Sequence, residues 1–404
     1  LLCGYLTWRL DSAFFTLSDT FFVFGAILLL CGGGIRLKPW GTVTIYWLAG
    51  FLIMMPGLFI GSVVNGDPVS WLLGALQYSF ALVLLPYLLD GQSHSDRRLV
   101  RYAILLVAGI TAMELFGVLV YYFYDASFQD YQKIGTNFIT GSKRLGAYLG
   151  QPNGNAAIIS MTLPFVIYLM AQGRIPRVVG IACAVISAQA VILTASFTGA
   201  VSSMIVVALF LFICGTRYVL QAAIGVAAAV CIFLAGNFQL PAVFQARVGG
   251  ALESGDLNQA GTFADRMDLI REAWRIVDHT MFIGLGMDQY RVVSAMKAPV
   301  HNVYLLLWAE GGLLALVGWM LLLIVVLLTS LRTLRYDRLT AALGLAVLAA
   351  FVIFSTATPH MYARVWLVPL ILAMAFMTRI IGRQEDEGVG ITPKDNEARP
   401  ARLR

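Results

Sequence analysis

His301 stands where an apolar run begins, in the order His301-Asn302-Val303-Tyr304, with Glu310 further along the same run. Histidine is the side chain best suited to take a proton near neutral pH. At the mouth of a membrane helix it can reach both water and a substrate held in the membrane. A second group of residues suits an anion. Lys143 and Arg144 lie in Gly141-Ser142-Lys143-Arg144-Leu145-Gly146-Ala147-Tyr148-Leu149-Gly150-Gln151-Pro152-Asn153, where the glycines and the proline predict an ordered turn ahead of a helix. Arginine pairs with phosphate or carboxylate oxygens through two parallel hydrogen bonds, which lysine cannot do. The alternative for both is contact with lipid headgroups.

A third group comes from the chain before His301. Thr262-Phe263-Ala264-Asp265 reads as a helix start, a hydroxyl cap with an acid three residues on. Phe263, Met267, Ile270, Trp274 and Val277 then recur at steps of four and three, an apolar helix stripe. Arg266 lies beside this stripe, next to Val277, and Arg271 and Arg275 flank its other side. The helix is expected to lie on a bundle with its apolar face down and its arginines at the rim. The competing reading of these arginines is a solvated face. Ile283-Gly284-Leu285-Gly286-Met287 predicts a tight turn between this helix and His301.

Other reactive side chains are few. Of the four histidines, His94 falls in a basic loop, His279 ends the amphipathic helix, and His360 lies between the last two apolar runs near Arg364. Glu114 sits inside an apolar run, where an ionisable group is usually paired, so a structural or supporting role is expected. No HExxH, DxD or P-loop pattern occurs, so a metal- or nucleotide-dependent site has no support. Cys3, Cys31, Cys183, Cys214 and Cys231 fall in or beside apolar runs without a CxxC pair, which argues against a zinc site or a disulfide framework.

The elements that must position these residues are membrane helices. The 404 residues are 59% hydrophobic and 12% charged, with a mean hydropathy of +0.80. A soluble chain carries about 25% charged residues. A span needs about 20 apolar residues. Runs at 18–34, 40–62, 70–89, 99–124, 153–172, 176–194, 197–214, 218–238, 301–330, 339–357 and 361–381 qualify. Leu1-Leu2-Cys3-Gly4-Tyr5-Leu6 reads as the tail of a further span whose start is missing, making about twelve. The expected layout has spans one to nine in 1–238 with a loop at 125–152. A large loop follows at 239–300, then spans ten to twelve in 301–382 and a charged, disordered tail at 383–404.

The net charge of +6 needs no nucleic-acid partner. Arg36, Lys38, Arg97, Arg98, Arg101, Arg174, Arg177, Arg217, Arg332, Arg335 and Arg338 crowd the short loops on one side. The positive-inside rule makes that side, and both termini, cytoplasmic. Lys133, Lys143, Arg144, Arg247, Arg266, Arg271, Arg275, Arg291 and Lys297 lie in the two long loops of the other side. Topology does not account for these, and they invite a ligand.

Together these segments resemble the O-antigen ligase and polymerase superfamily of bacterial envelopes. The resemblance is carried by Arg144 to Asn155 (RLGAYLGQPNGN), by Arg266 with its helix (DRMDLIREAWRIVDH), by Gly284-Leu285-Gly286, and above all by HNVYLLLWAEGGLLAL from His301. About twelve spans with one large loop between the ninth and tenth agree with it. The chain departs from relatives at Ser196-Phe197-Thr198-Gly199, where many have Ser-Arg-Gly, and at Thr280, where a proline is common. One basic contact is therefore expected to be missing.

The resemblance implies an all-α, polytopic, GT-C-like glycosyltransferase of the bacterial inner membrane with its site on the periplasmic face. Its donor would be O-antigen polysaccharide on undecaprenyl pyrophosphate, and its acceptor a sugar hydroxyl of lipid A–core. It implies an inverting, metal-independent transfer without a cofactor, in the company of membrane lipids. His301 would be the base. Arg144, Arg266, Lys143 and Arg271 would hold the pyrophosphate, with Asn302, Tyr304, Glu310 and Asn153 in support. The position of the large loop and the ELFGVLV…RLGAYLGQPN arrangement favour the ligase. The alternatives are the polymerase, a protein O-oligosaccharyltransferase, and a polyprenyl-glycan transporter. A transporter should carry several charged or broken positions within its spans, and Glu114 is nearly alone.

Overall fold

A computed structural model describes residues 16–32, 37–89, 95–215, 239–254, 263–361 and 363–388. In chain order the principal helices are α1 (Leu17–Cys31), α2 (Val43–Val64), α3 (Pro68–Leu88), α4 (Asp96–Phe123), α5 (Pro152–Ala171), α6 (Arg177–Thr194), α7 (Phe197–Cys214), α8 (Phe263–Thr280), α9 (Val303–Thr333), α10 (Arg338–Ser355) and α11 (Arg364–Gly388). No strand occurs among the described residues. Nine of these helices are long and apolar enough to cross a membrane, so the chain is an all-α polytopic membrane protein. The expected count of twelve is not reached among the described residues. α1 is apolar but only 15 residues long. The run at 218–238 and the partial first span lie outside the described residues, as do His94, Cys3 and Cys231. α11 continues to Gly388, past the boundary expected at 383; 389–404 are outside the described residues.

Burial sorts the spans. α5 is buried continuously from Gly154 to Val166, and α11 from Val365 to Thr378, so these two form the centre. They are apolar on every side, as helices enclosed by other helices must be. α7 is peripheral and turns Met204 and Phe212 outward, which suits lipid contact. α2 and α9 pack most closely, through small residues. A Cβ added at Gly57 would stand 2.6 Å from the Gly311 carbonyl, and one at Gly318 would stand 2.4 Å from the Met54 nitrogen. Close backbone approach of this kind gives membrane helices their dispersion contact where no hydrophobic effect acts between them.

α9 is broken near its start. Gly312 adopts φ 65°, ψ −167°, a conformation open to glycine and strained for other residues. The 22 residues from Gly312 to Thr333 rise roughly 33 Å, a full crossing. Val303–Gly311 is thus an extra half-helix on the loop face, and Glu310 lies at its end rather than deep in a span. The break frees the carbonyls of Ala309 and Glu310. The predicted turn takes them, with Leu285 N–H donating to Ala309 O at 2.8 Å and Gly286 N–H to Glu310 O at 2.8 Å. Leu313 N–H, freed on the other side of the break, donates to Met281 O at 2.9 Å. Backbone groups at membrane depth must be satisfied in this way.

Two ion-pair sets mark the two faces. On the face opposite the long loops, Asp96 accepts from Arg379 at 3.3 Å and Arg383 at 2.7 Å. On the loop face, Arg364 at the start of α11 makes a two-point contact with the fully buried Asp19 of α1, one bond from Nε at 2.6 Å. The same guanidinium lies over the Phe80 ring, 5.5 Å from its centroid. Arg364 therefore belongs to a helix-to-helix pair.

Candidate active site

Four chain segments meet on the loop face. The first is the turn before α5. Ile139 bridges Leu145, and Thr140 N–H donates to Arg144 O at 2.9 Å, which closes a tight reversal with Lys143 at φ 51°. Leu145 N–H then bonds Leu193 O at 2.9 Å, pinning the turn to the end of α6. This anchoring aims Arg144 inward. Its Nε donates to Thr194 O at 2.8 Å and one terminal nitrogen donates to Asn153 Oδ1 at 3.1 Å. A guanidinium has five N–H donors, so this fixed Arg144 keeps donors for a ligand. Asn153, expected in a supporting role, lies beside Arg144. Lys143 stands exposed at the tip of the turn.

The second segment is α8. Its buried line is Leu269, Ala273 and Val277, with Ile270 and Ile276 partly covered. The expected stripe through Met267 and Trp274 is rotated: Trp274 is 49% exposed and meets Trp308 edge-on at 5.7 Å between centroids. The small Ala273 lets the helix settle against Tyr290, Val300, Leu305 and Ala309, and the bulky indole is left at the rim. The rotation matters for Arg266. It shares a meridian with Val277 and so lies on the inward face itself. Its Nε is buried, with no hydrogen-bond partner among the described residues. Arg271 faces the other way, exposed and bonded to Asp268 at 2.8 Å. Arg275 is also exposed.

The third segment is residues 242–254, whose turn at Gln245–Gly249 is π-helical. It brings half-buried Arg247 into the electrostatic field of Arg144 and Arg266. The fourth contains His301, and His360 joins it from between α10 and α11. His301 is held between the fully buried Val300 and Asn302, which caps α9 by accepting from Leu305 N–H at 3.1 Å. Tyr304 is half-buried beneath it, against the main core. Glu310 is buried and accepts from Tyr290 N–H at 3.2 Å, so it braces the loop and does not face a substrate.

The electrostatics would suit an anion. Burial lowers the Arg144 guanidinium to about 10, and the neighbouring Arg247 and Arg266 add to the effect. Burial, then Arg247, lowers Arg266 as well. No carboxylate forms an ion pair with Arg144 or Arg266 among the described residues. Like charges held together in a poorly solvated place repel, and a bound anion relieves that cost. The two histidines lie in the same field. Burial first, then Arg266 and His360, hold His301 down to about 4. Burial and Arg291 hold His360 at about 4. His301 is therefore a neutral imidazole at physiological pH, with a lone pair free to accept a proton. No group of three His, Cys, Asp or Glu residues able to hold a metal occurs among the described residues.

The structure thus gathers Arg144, Asn153, Arg266, His301 and Asn302, and leaves Lys143 and Arg271 at the periphery. It adds two residues that sequence reasoning did not place in the site. His360 could have been suspected from its position between two spans on the same face. Arg247 had no local signal beyond its charge. Residues 182–320 match the family model described as O-Antigen ligase, which supports an enzyme of the lipid-linked polysaccharide type. The matched segment contains Arg247, Arg266 and His301, and begins after Arg144. No curated protein matches the chain.

Proposed function

With that family domain as premise, we propose that the protein is an O-antigen ligase, transferring O-antigen polysaccharide from undecaprenyl pyrophosphate to a sugar hydroxyl of lipid A–core. The observation that carries this reading is the joining of a carboxylate-free pair of guanidiniums, Arg144 and Arg266, to a neutral histidine, His301. The site would face the periplasm of a bacterial inner membrane, a reading supported by the basic short loops of the opposite side.

In this mechanism His301 accepts the proton of the acceptor hydroxyl, because an alcohol is a weak nucleophile until that proton moves. The oxygen attacks the anomeric carbon from the face opposite the leaving group. The bond from that carbon to the phosphate oxygen breaks, its electron pair leaves with undecaprenyl pyrophosphate, and the configuration inverts. Arg144, already held by Thr194 and Asn153, and Arg266, turned inward on α8, meet the charge growing on the pyrophosphate. Preorganised donors of this kind stabilise a transition state without reorganisation cost. Asn153 keeps Arg144 in place. Asn302 and Tyr304 hold the backbone and ring beside His301. Lys143 and Arg271, exposed as they are, attract the donor at longer range. The reading calls for no metal, since the arginines meet the charge on the pyrophosphate, and for no ATP or other cofactor, since the glycosyl–pyrophosphate bond supplies the energy.

The test is a purified reconstitution with undecaprenyl-pyrophosphate O-antigen and lipid A–core, comparing wild type with His301→Ala. Glycan should appear on lipid A–core with wild type alone, while the variant still inserts and folds. Chain growth on the polyprenyl carrier, without transfer to lipid A–core, would identify a polymerase instead.

A further inference from the structure

Arg266 and His301 must act on one substrate, yet they stand on different segments: Arg266 on α8, His301 at the end of the chain that returns from it. Glu272 joins the two. It lies six residues after Arg266 on the same helix. One carboxylate oxygen accepts from Ser294 Oγ–H at 2.7 Å and the other from Ala295 N–H at 2.8 Å. Ala295 lies six residues before His301. Ser294 is fully buried, and its hydroxyl oxygen in turn accepts from Met296 N–H at 3.2 Å. Beside this contact Tyr290, also fully buried, donates its hydroxyl to Leu269 O of α8 at 3.0 Å. Residues 296–300, with a turn at Lys297 (φ 51°) and buried Val300, separate the clamp from His301.

We infer that Glu272 is a positioning residue, a two-point clamp that sets the distance between the pyrophosphate contact Arg266 and the base His301. The inference rests on the roles given above to those two residues. Both oxygens of Glu272 are engaged by the chain, so the carboxylate is occupied in holding residues 294 and 295 and does not itself serve the substrate. Nor is it a generic surface pair: its donors are the buried Ser294 hydroxyl and the Ala295 amide, with the buried Tyr290 hydroxyl also in reach, and none is a mobile cation. Misplacing a reacting group by about 1 Å costs on the order of 100-fold in rate, so a clamp at this point bears on turnover more than on binding.

The test uses full-length protein in nanodiscs, with hydrogen exchange of the peptide spanning 294–301 measured beside glycan transfer. Glu272→Ala should speed exchange there and lower kcat about 10- to 100-fold. The KM for the donor should stay within about threefold, because Arg144 and Arg266 are untouched. Glu272→Gln should restore both readouts to near wild type: the amide oxygen accepts from Ala295 N–H while its NH2 donates to Ser294 Oγ. Ser294→Ala should give a partial loss, and adding it to Glu272→Ala should cost nothing more, as expected of one shared contact. Ser294→Ala also carries the test if Glu272→Ala does not fold. Unchanged exchange in Glu272→Ala, wild-type transfer in that variant, or a Gln variant as inactive as Ala would each overturn the clamp. A wild-type protein that transfers no glycan would refute the ligase reading instead, while the exchange measurement would still decide whether Glu272 holds the segment.

Discussion

At the scale of the residue, the proposed chemistry turns on what surrounds one imidazole. An ordinary histidine titrates near 6.5. Burial, Arg266 and His360 hold His301 at about 4. A base depressed in this way is lost only as pH falls through that lower value. The acid limb of kcat/KM for the donor, which reports the free enzyme, should therefore lie near pH 4. Pyrophosphate bound between Arg144 and Arg266 brings negative charge, favours the imidazolium and raises the base. The acid limb of kcat should accordingly lie at higher pH than that of kcat/KM. Arg266→Ala, which removes one positive neighbour, should move the kcat/KM limb upward. A free-enzyme limb at the ordinary histidine value, unaffected by Arg266→Ala, would take His301 out of the role of base.

At the scale of the element, the break in α9 and the turn that caps it form one unit. Gly284 lies so close to the half-helix that an added Cβ would stand 2.2 Å from the Glu310 carbonyl oxygen, which is backbone and cannot step aside. Gly284→Ala should destabilise the protein by about 1–3 kcal/mol, the usual cost of overpacking. It should also slow transfer, because Val303–Gly311 carries His301 at its head. Gly25→Ala is the control, since an added Cβ there meets nothing within 4 Å. Thermal unfolding in detergent separates the two: a Gly284→Ala protein as stable as Gly25→Ala would mean the break is not held by this packing. The rotation of α8 belongs to the same scale. Its arginines divide by helix face, Arg266 inward and Arg271 and Arg275 outward, and the division follows from Ala273 being small and Trp274 large.

At the scale of the whole molecule, the loop face is tied together by a buried charge pair far apart in sequence. Asp19 is fully buried, so its partner Arg364 must neutralise it. Removing one member of such a pair costs about 3–5 kcal/mol, because the other is left buried and uncompensated. Arg364→Ala should therefore lower the unfolding temperature markedly. Replacing both residues by apolar ones of similar size should recover much of the loss. Stability in Arg364→Ala equal to wild type would mean that Asp19 finds another partner or water. The pair also fixes the start of α11, four residues after His360, so its loss should disturb the site from a distance.

Much of this was legible in the residues themselves. The spans follow from hydropathy, because a bilayer admits only continuous apolar helices of sufficient length. Gly284-Leu285-Gly286 announced a turn through its backbone freedom, and HNVYLLLWAEGGLLAL pointed to His301 through its resemblance to a known family. Other features depended on packing between distant segments. Periodicity placed Arg266 beside an apolar stripe, but only contact with Tyr290 and Val300 rotated α8 and turned that arginine inward. Arg247 and His360 carry no local mark, and each joins the site through its neighbours in space. Glu310 looked like a polar group within a span until Gly312 broke the helix, and the tertiary contacts then made it a brace for the loop. Charge and apolar length are properties of a sequence. Which side of a helix is buried, and which like charges must share one site, is decided by what packs against them.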